Sequence, residues 1–524
     1  MAPPPQPEPG VNPVVRNALR VSLSAREYKA LHEYIQRSSP SLQDKLPSSA
    51  KFEAVTRSKS KYNEAAVRAS LRVFLVSGGL LKLVEFIVGR LQRKSSQTKA
   101  RTTLLQSPNF RLSLSLSLMV LLHRLLHRFF VRLRANLRTD EATPFRERNP
   151  RLSKALISRY APAVGASLAG FALGIATQNQ LRMTVAIYAA TRGLEATYNV
   201  MDEKGWLVNK PRWFGSWLLM PASLAQLFHA FVFDREATPK WFGNAILKYS
   251  PSYIHERPDT LPVQFPWPEM EEIVDSISAI ANLRWPAFIS PILRPAGPDV
   301  LPSGLKSISP ITGPAHPSIP NLSCALLHPN NPSCGTAFAH QVLLSVSALA
   351  RLLTVVTLAR SALHLKSWLT APLTTVNTLS QKVLTQTGVL SASLSTAWGT
   401  ICLWNALLPR SALPTQRFYL SGFLAGLPFA FLGNNSRSLF LYFFRLAVDS
   451  AWKAGVKRGA WKGWRAGEVT LFVAAWAVLG SVLEGRPGAV QGPAARKVLA
   501  WMRGEGFVDP LVKEKEREKR RRSK

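Results

Sequence analysis

The sequence predicts an all-α, polytopic membrane protein with two similar halves of about four transmembrane helices each. Three observations support this fold class. Hydrophobic residues make up 47% and charged residues only 18% of the 524 residues, which excludes a generally disordered chain. The apolar residues are concentrated in long runs, separated by basic or proline-rich stretches. A pattern of glycines, acids and aromatic residues also occurs twice along the chain.

The polar N-terminal region is predicted at 1–62. It opens with MAPPPQPEPG, which has neither the basic nor the apolar segment of a secretory signal. Its prolines also disfavour an amphipathic targeting helix. We therefore expect neither a cleaved secretory signal nor a helical presequence.

The first membrane half is predicted at 63–235 and the second at 332–490. A helix needs about 20 apolar residues to cross a bilayer. The strongest candidates contain no charged residue: 160–181, 213–233, 383–409, 418–436 and 469–483. Weaker candidates contain charges: 67–90, 112–134, 183–200, 337–365 and 438–456.

The loops at 132–159 and 453–465 are both strongly basic. If basic loops lie on the same side of the membrane, the two halves have the same orientation and each needs an even number of spans. We predict four spans per half, eight in all, with one weaker candidate of each half lying in the membrane interface.

Each half contains a GxxxG motif, at Gly170 and Gly174 in the first and at Gly422 and Gly426 in the second. In a membrane this spacing lets two helices approach closely. A short polar break follows each motif, and an apolar segment with one acidic residue comes next. We expect these four glycines to pack helices against each other.

Charged residues inside the apolar segments form two predicted pairs. Arg192 and Glu195 are three residues apart, and Arg445 and Asp449 are four apart, so each pair can meet on one helix face. An ionisable residue inside a membrane is costly and usually faces a partner or a watery cavity. Three interpretations stay open: a structural ion pair, a polar lining along a path between the halves, or a position at the headgroups.

Residues 236–331 are predicted to be an irregular or extended loop between the halves, because 286–320 contains nine prolines. An acidic patch precedes these prolines, at Glu269, Glu271, Glu272 and Asp275. We interpret it as a solvated helix face, with a docking patch for a basic partner as the alternative.

The C-terminal tail is predicted at 491–524. Its last part, 513–524, contains eight basic and three acidic residues. It is either a solvated tail or a segment attracted to anionic lipids, which contribute about 1 kcal/mol per basic residue near the surface.

Cys324 and Cys334 lie ten residues apart with His328 between them. Their spacing is not typical of zinc ligands, and His340 is the fourth ligand that the sequence offers. We therefore predict no metal site and favour a packed turn. A disulfide in an oxidising compartment and a zinc site are the alternatives. Cys402 lies in an apolar run and is interpreted as a small buried hydrophobic residue.

Two segments resemble the transmembrane protein 135 family, with a weaker echo at 155–235. The first segment contains the family's cysteine motif, at Cys324, His328, Pro329, Pro332, Ser333 and Cys334. The second, at 437–485, contains Arg458, Gly459, Gly467 and Glu468. In the family the cysteine motif stands near the N-terminus, whereas here it stands in the middle of the chain.

The resemblance implies a multi-pass protein of mitochondrial or peroxisomal membranes, involved in organelle dynamics and lipid handling. The family is also distantly similar to channel-forming subunits of mitochondrial inner-membrane translocases and to a peroxisomal membrane protein. The function that follows is handling of lipids or metabolites, with a translocation path between the two halves. The alternative is a non-catalytic membrane scaffold that recruits partners through its linker and basic tail.

No enzyme activity is predicted, since the sequence offers neither a nucleophile–base cluster nor a histidine-rich metal set. We accordingly predict no catalytic residue and no cofactor. The net charge of +36 is spread over loops that flank apolar runs, and no nucleic-acid-binding module is recognised. The expected partners are the bilayer, anionic lipids, and a second copy of the chain or other organelle membrane proteins, but not nucleic acid.

Overall fold

A computed structural model describes residues 12–38, 46–56, 61–91, 107–178, 180–207, 210–211, 213–259, 261–262, 264, 266–293, 301–362, 365–433 and 436–522. Within these ranges the chain is helical and forms no β-strand. The polar breaks predicted after the two GxxxG motifs fall partly on residues 179 and 434–435, which lie outside the described residues, as do 1–11 and 523–524.

The first eleven α-helices are α1 Pro13–Ser22, α2 Ala25–Ser38, α3 Ser49–Thr56, α4 Lys61–Leu91, α5 Pro108–Asn136, α6 Thr143–Arg148, α7 Pro150–Ile157, α8 Ala161–Ser167, α9 Gln180–Glu203, α10 Leu219–Phe233 and α11 Lys240–Lys248. The next eleven are α12 Met270–Asn282, α13 Ser309–Thr312, α14 Leu322–Leu327, α15 Cys334–Ala362, α16 Leu365–Thr370, α17 Pro372–Leu407, α18 Arg417–Gly426, α19 Arg437–Lys457, α20 Gly467–Gly485, α21 Pro493–Met502 and α22 Pro510–Arg522.

The first compact unit comprises 1–208 and 464–524. Its long helices α4 and α5 pack side by side, and α5 also packs against α8 and its 3₁₀ continuation Leu168–Ile175. Helix α20 packs against α8 and α9. The short helices α1 to α3 lie in the same unit, where the rings of Tyr28 and Phe52 stack at 3.9 Å.

The second compact unit comprises 209–463. Here α15 packs against α17, and α17 packs against α18 and its 3₁₀ continuation Leu427–Leu432. Helix α10 packs against α18 and α19. Its largest buried side chains include Trp398, Tyr253 and Phe418.

The unit boundaries differ from the predicted segments. Helix α10 was assigned to the first membrane half and α20 to the second, but each belongs to the other unit. Both are strongly apolar helices that complete a bundle. Hydropathy along the chain does not reveal which bundle an apolar helix joins.

Four helices among the described residues are long and apolar enough to cross a membrane: Pro108–Asn136, Ser216–Phe233, Cys334–Ala362 and Gly467–Gly485. A pair bent by 89°, Pro150–Ile157 with Ala161–Ile175, could form a fifth crossing or a re-entrant loop. The described residues thus contain four or five helices that meet these criteria of length and composition, fewer than the eight predicted spans. The runs at 160–181 and 418–436 are not single straight helices, since each changes from an α-helix to a 3₁₀ helix.

Most buried side chains of helix α15 are small or polar, and most of its large apolar side chains point outward. Its buried residues recur every four positions, at Ala337, Gln341, Ser345 and Leu349. Its outward residues include Leu343, which is 70% exposed. A helix of a water-soluble protein has the opposite arrangement, whereas small inward residues are typical of helices that pack in a bilayer.

The segment between the predicted halves is folded, which contradicts the expected extended linker. Ile273, Ile277 and Ile280 of α12 recur at helical spacing and are fully buried. Further on, Leu305 and Ile308 are also buried in the core of the second unit. The prolines do not prevent folding: Pro310 lies in the first turn of α13 and Pro291 begins a short 3₁₀ helix, positions where the N–H that proline lacks has no helical partner.

The predicted acidic patch lies at the start of α12. Arg235 donates to Glu271 at 3.0 Å and to Asp275 at 2.6 Å. Both carboxylates remain more than half exposed. The patch is thus a solvated helix face, and Arg235 from an earlier segment of the chain neutralises part of its charge.

Candidate functional site: buried charges, close helix contacts and a thiol–imidazole cluster

The pair predicted on α9 is in contact. Arg192 Nη1 donates to Glu195 Oε2 at 2.7 Å, and Arg192 Nε lies 3.4 Å from the Tyr188 hydroxyl. The Glu195 side chain is only 3% exposed, whereas that of Arg192 is 30% exposed. The pair therefore links a buried carboxylate to the helix surface.

A second ion pair of the first unit is fully buried. Arg182, near the start of α9, binds Glu468, at the start of α20, through two of its nitrogens. Each side chain is 7% exposed. Arg182 Nη1 also donates to the carbonyl of Ala176 at 3.0 Å. These contacts join α9 to α20.

Sequence reasoning identified Glu468 from the family resemblance but missed Arg182. Arg182 directly follows the uncharged run 160–181, and this position gives no indication of a partner in α20. Its partner lies 286 positions further along the chain. No local pattern joins two residues at that separation.

Asp449 of α19 has a partner that the sequence did not single out. Its Oδ2 accepts a hydrogen bond from Lys453 Nζ at 2.8 Å. The predicted partner, Arg445, lies one turn earlier on the same helix. An acid that precedes a base by four residues is the better orientation on a helix, which agrees with the contact between Asp449 and Lys453.

The family-motif residues Arg458 and Gly459 end helix α19. Arg458 binds Asp234, whose side chain is 7% exposed, and Lys457 Nζ lies 3.6 Å from the same carboxylate. Gly459 has φ +71°, a conformation that side chains disfavour. Gly467, the first residue of α20, lies beside Trp464.

Three of the four GxxxG glycines lie at close helix contacts. A Cβ atom on Gly426 would lie 2.4 Å from the Pro221 backbone of α10, and one on Gly422 would lie 2.4 Å from the Leu224 carbonyl. A Cβ on Gly170 would meet Val473 of α20 at 2.9 Å. Gly174 differs, since no atom lies within 4 Å of its position.

The cysteine motif gathers a fourth residue. Cys324, His328, Cys334 and Cys402 place their sulfur and ring nitrogen atoms within 4.8 Å of one another. His340, the fourth ligand that the sequence offered, is not a member; its Nδ1 lies 3.1 Å from the Ser252 hydroxyl. Cys402 is buried, as its apolar run predicts, but it also faces this cluster.

The remaining motif residues shape the turn between α14 and α15. The Pro329 carbonyl accepts a hydrogen bond from the His316 N–H at 2.9 Å. Pro332 and Ser333 follow, and Ser333 directly precedes α15. Burial lowers the pKa of His328, but hydrogen bonds with Cys324 and Cys334 outweigh burial and raise this pKa to about 10.

No protein-family model, curated protein or solved structure matches this chain. The likeness to the transmembrane protein 135 family therefore stays a prediction that rests on the motif residues quoted above.

Proposed function

We propose that this chain is a multi-pass integral membrane protein of mitochondria or peroxisomes that handles lipids or metabolites and has no catalytic activity. The observation that carries the membrane part is the side-chain arrangement of α15. Leu343 and Val355 are 70% and 66% exposed, while Gln341 and Ser345 are fully buried. In a bilayer, lipid acyl chains would cover this outward apolar face, so its exposure would cost no hydration free energy.

The same arrangement recurs in the first unit. Ser70 of α4 and Ser117 of α5 are buried, and their hydroxyl oxygens lie 3.0 Å apart. On the outer side of α4, Leu75 and Val76 are each 68% exposed. In water, apolar surface of this extent is a site of association or aggregation. In a bilayer it is the surface that faces the acyl chains.

The two units support the proposal of an internal repeat. Ser70 and Ser117 join two neighbouring long helices of the first unit, and Ser345 and Ser391 join two of the second. The serines of each pair are 47 and 46 residues apart, respectively. We infer that α4, α5, α8 and α9 repeat as α15, α17, α18 and α19. The fifth helix of the first unit is α20 and that of the second unit is α10, although each follows the other unit's helices along the chain.

The handling of lipids or metabolites rests on the charged groups within the bundles. Glu195 of α9 and Asp449 of α19 are buried or nearly buried carboxylates, and each has a cationic partner on its own helix. Such groups are expensive in a membrane and usually mark a route for polar solutes. They are our candidates for residues that interact with a polar solute or a lipid headgroup.

The basic tail favours anionic lipids as an additional partner. Helix α22 begins after Asp509, which accepts two hydrogen bonds of 2.8 Å from Arg496 of α21. The Arg496 guanidinium lowers the pKa of Asp509, so this anchor is charged at neutral pH. It holds a strongly basic helix beside the folded first unit.

Density-gradient fractionation of cells that express the tagged full chain tests the location. We expect the chain to follow mitochondrial or peroxisomal membrane markers. Sedimentation with plasma-membrane or soluble markers would contradict the organelle assignment. Reconstitution in liposomes, with fluorescently labelled phosphatidylcholine and carboxyfluorescein as probes, then distinguishes lipid from solute handling.

A further inference from the structure

We propose that Cys324, His328, Cys334 and Cys402 form a structural zinc site. The four residues come from three separate parts of the second unit. Cys324 lies in α14 and His328 directly follows that helix, Cys334 is the first residue of α15, and Cys402 lies near the end of α17. A metal ion here would join α14 and the two long helices α15 and α17.

The distances fit a single tetrahedral ion. Around zinc, Zn–S bonds of about 2.3 Å and Zn–N bonds of about 2.0–2.1 Å place two sulfurs about 3.8 Å apart, and a sulfur and a nitrogen about 3.6 Å apart. Cys324 Sγ lies 3.7 Å from Cys402 Sγ, and Cys402 Sγ lies 3.4 Å from His328 Nε2. All four ligand atoms lie within 4.8 Å of one another.

The histidine is oriented for coordination through Nε2. His328 Nδ1 lies 2.8 Å from the backbone carbonyl of Asn331. A carbonyl oxygen only accepts hydrogen bonds, so Nδ1 carries a proton. When a metal ion displaces the Nε2 proton, Nε2 has a free lone pair, and this is the atom that faces Cys402. Metal-binding histidines are commonly fixed by such a bond from the other ring nitrogen.

The turn that carries two of the ligands is itself well fixed. The His328 N–H donates to the Cys324 carbonyl at 2.8 Å, and the Asn331 N–H donates to the His328 carbonyl at 3.1 Å. The Asn331 side chain accepts hydrogen bonds from the Ser333 N–H and the Thr336 hydroxyl. The geometry therefore arises from a hydrogen-bonded turn that is short enough to bring Cys334 back to Cys324.

The ligand set identifies the ion and its role. Three thiolates and one imidazole are a common set for structural zinc. Four protein ligands leave no open position for a water or a substrate, so the site is structural rather than catalytic. A two-iron cluster would divide its ligands between two irons, which the mutual 4.8 Å limit does not accommodate.

A disulfide is the competing chemistry. A disulfide requires two sulfurs about 2.0 Å apart, whereas Cys324 and Cys402 are 3.7 Å apart and all three cysteines are free thiols. A disulfide would also use only two of the three cysteines and would leave the imidazole without a role.

The test is the metal content of the full-length chain, purified in detergent without chelators and measured by mass spectrometry. We expect about one zinc per chain. Cobalt that replaces zinc should give the visible absorption of tetrahedral thiolate coordination. Absence of bound zinc, or iron together with inorganic sulfide in its place, would overturn the proposal. So would a Cys324–Cys402 disulfide in a non-reducing peptide map.

Variants tie the ion to these residues. Cys402→Ser should lose most of the zinc, whereas His340→Asn, a matched change outside the cluster, should retain it. His328→Cys keeps four ligands and should still bind cobalt, with an absorption spectrum shifted from that of the wild type. Such binding would show that a change in the cluster does not by itself unfold the protein. The assignment would be contradicted if Cys402→Ser kept the zinc content of the wild type, or if His340→Asn lost as much zinc as Cys402→Ser.

Discussion

Ser345 and Ser391 place their hydroxyl oxygens 2.5 Å apart in the buried seam between α15 and α17. Ser391 Oγ also lies 3.1 Å from the Val342 carbonyl. Two small residues at this contact let the helix backbones approach, and their hydroxyls satisfy each other. The arrangement suits lipid surroundings, where packing of small residues and interhelical hydrogen bonds replace the hydrophobic effect as the source of association.

The first prediction concerns this seam. Ser345→Leu should destabilise the protein by about 1–3 kcal/mol, because the larger side chain has no space between α15 and α17. Ser347→Leu, two residues away on the exposed face of α15, should leave stability unchanged. Thermal unfolding in detergent measures both. Equal stability of the two variants would show that the seam is not a packing contact.

The second prediction compares two glycines of the GxxxG motifs. Gly426→Ala should lower the unfolding temperature, because its Cβ would lie 2.4 Å from the backbone of Pro221, and backbone atoms do not easily move. The expected loss is about 1–3 kcal/mol. Gly174→Ala should be neutral, because no atom lies within 4 Å. A harmless Gly426→Ala would argue against the close contact of α18 with α10.

The third prediction concerns the buried ion pair. Glu468→Gln removes the negative charge that Arg182 requires, and loss of one partner of a buried pair costs about 3–5 kcal/mol. The double variant Arg182→Met with Glu468→Met should recover most of this stability, because no unpaired charge remains. The more exposed pair Glu203–Arg486 provides a control: Glu203→Gln should cost less than about 1 kcal/mol.

A double variant no more stable than Glu468→Gln would contradict this account, since the loss would then arise from the shape of the side chains rather than from the stranded guanidinium. Denaturant titration of the purified protein in detergent measures all three variants and the wild type on the same scale.

The fourth prediction concerns transport. In liposomes that contain the purified chain, Asp449→Asn should change the flux of labelled phosphatidylcholine or carboxyfluorescein, because it removes the charge that binds Lys453. Asp275→Asn, at an exposed acid of α12, should leave flux unchanged. If the wild type supports flux and Asp449→Asn matches it, Asp449 does not line the route.

The helical class of the fold could be predicted from the sequence because uncharged runs and their spacing are local properties. The GxxxG motif predicts that Gly422 and Gly426 lie at a close helix contact, but it does not predict that the partner is α10. Helices α10 and α20 are both apolar, so composition alone gave no reason to place α20 beside α9. The prediction of an extended loop at 236–331 was wrong, because it gave the prolines at 286–320 more weight than the helical spacing of Ile273, Ile277 and Ile280.

In the candidate sites, too, the sequence predicts contacts within one helix but not contacts between distant helices. Arg192 and Glu195 lie one turn apart, so their contact follows from helix geometry. Cys402 lies 78 residues after Cys324, and Glu468 lies 286 residues after Arg182. Both contacts depend on how long helices pack, which the spacing of residues along the chain does not determine.

The central claim is that these helices lie in a bilayer, and alkaline carbonate extraction of organelle membranes tests it most directly. Carbonate removes proteins held at the membrane surface by charge, which matters for a chain with a net charge of +36. We predict that the full-length chain stays in the membrane pellet with integral marker proteins. Release of the chain into the supernatant with peripheral markers would contradict the account, and the exposed apolar faces of α4 and α15 would then require protein partners.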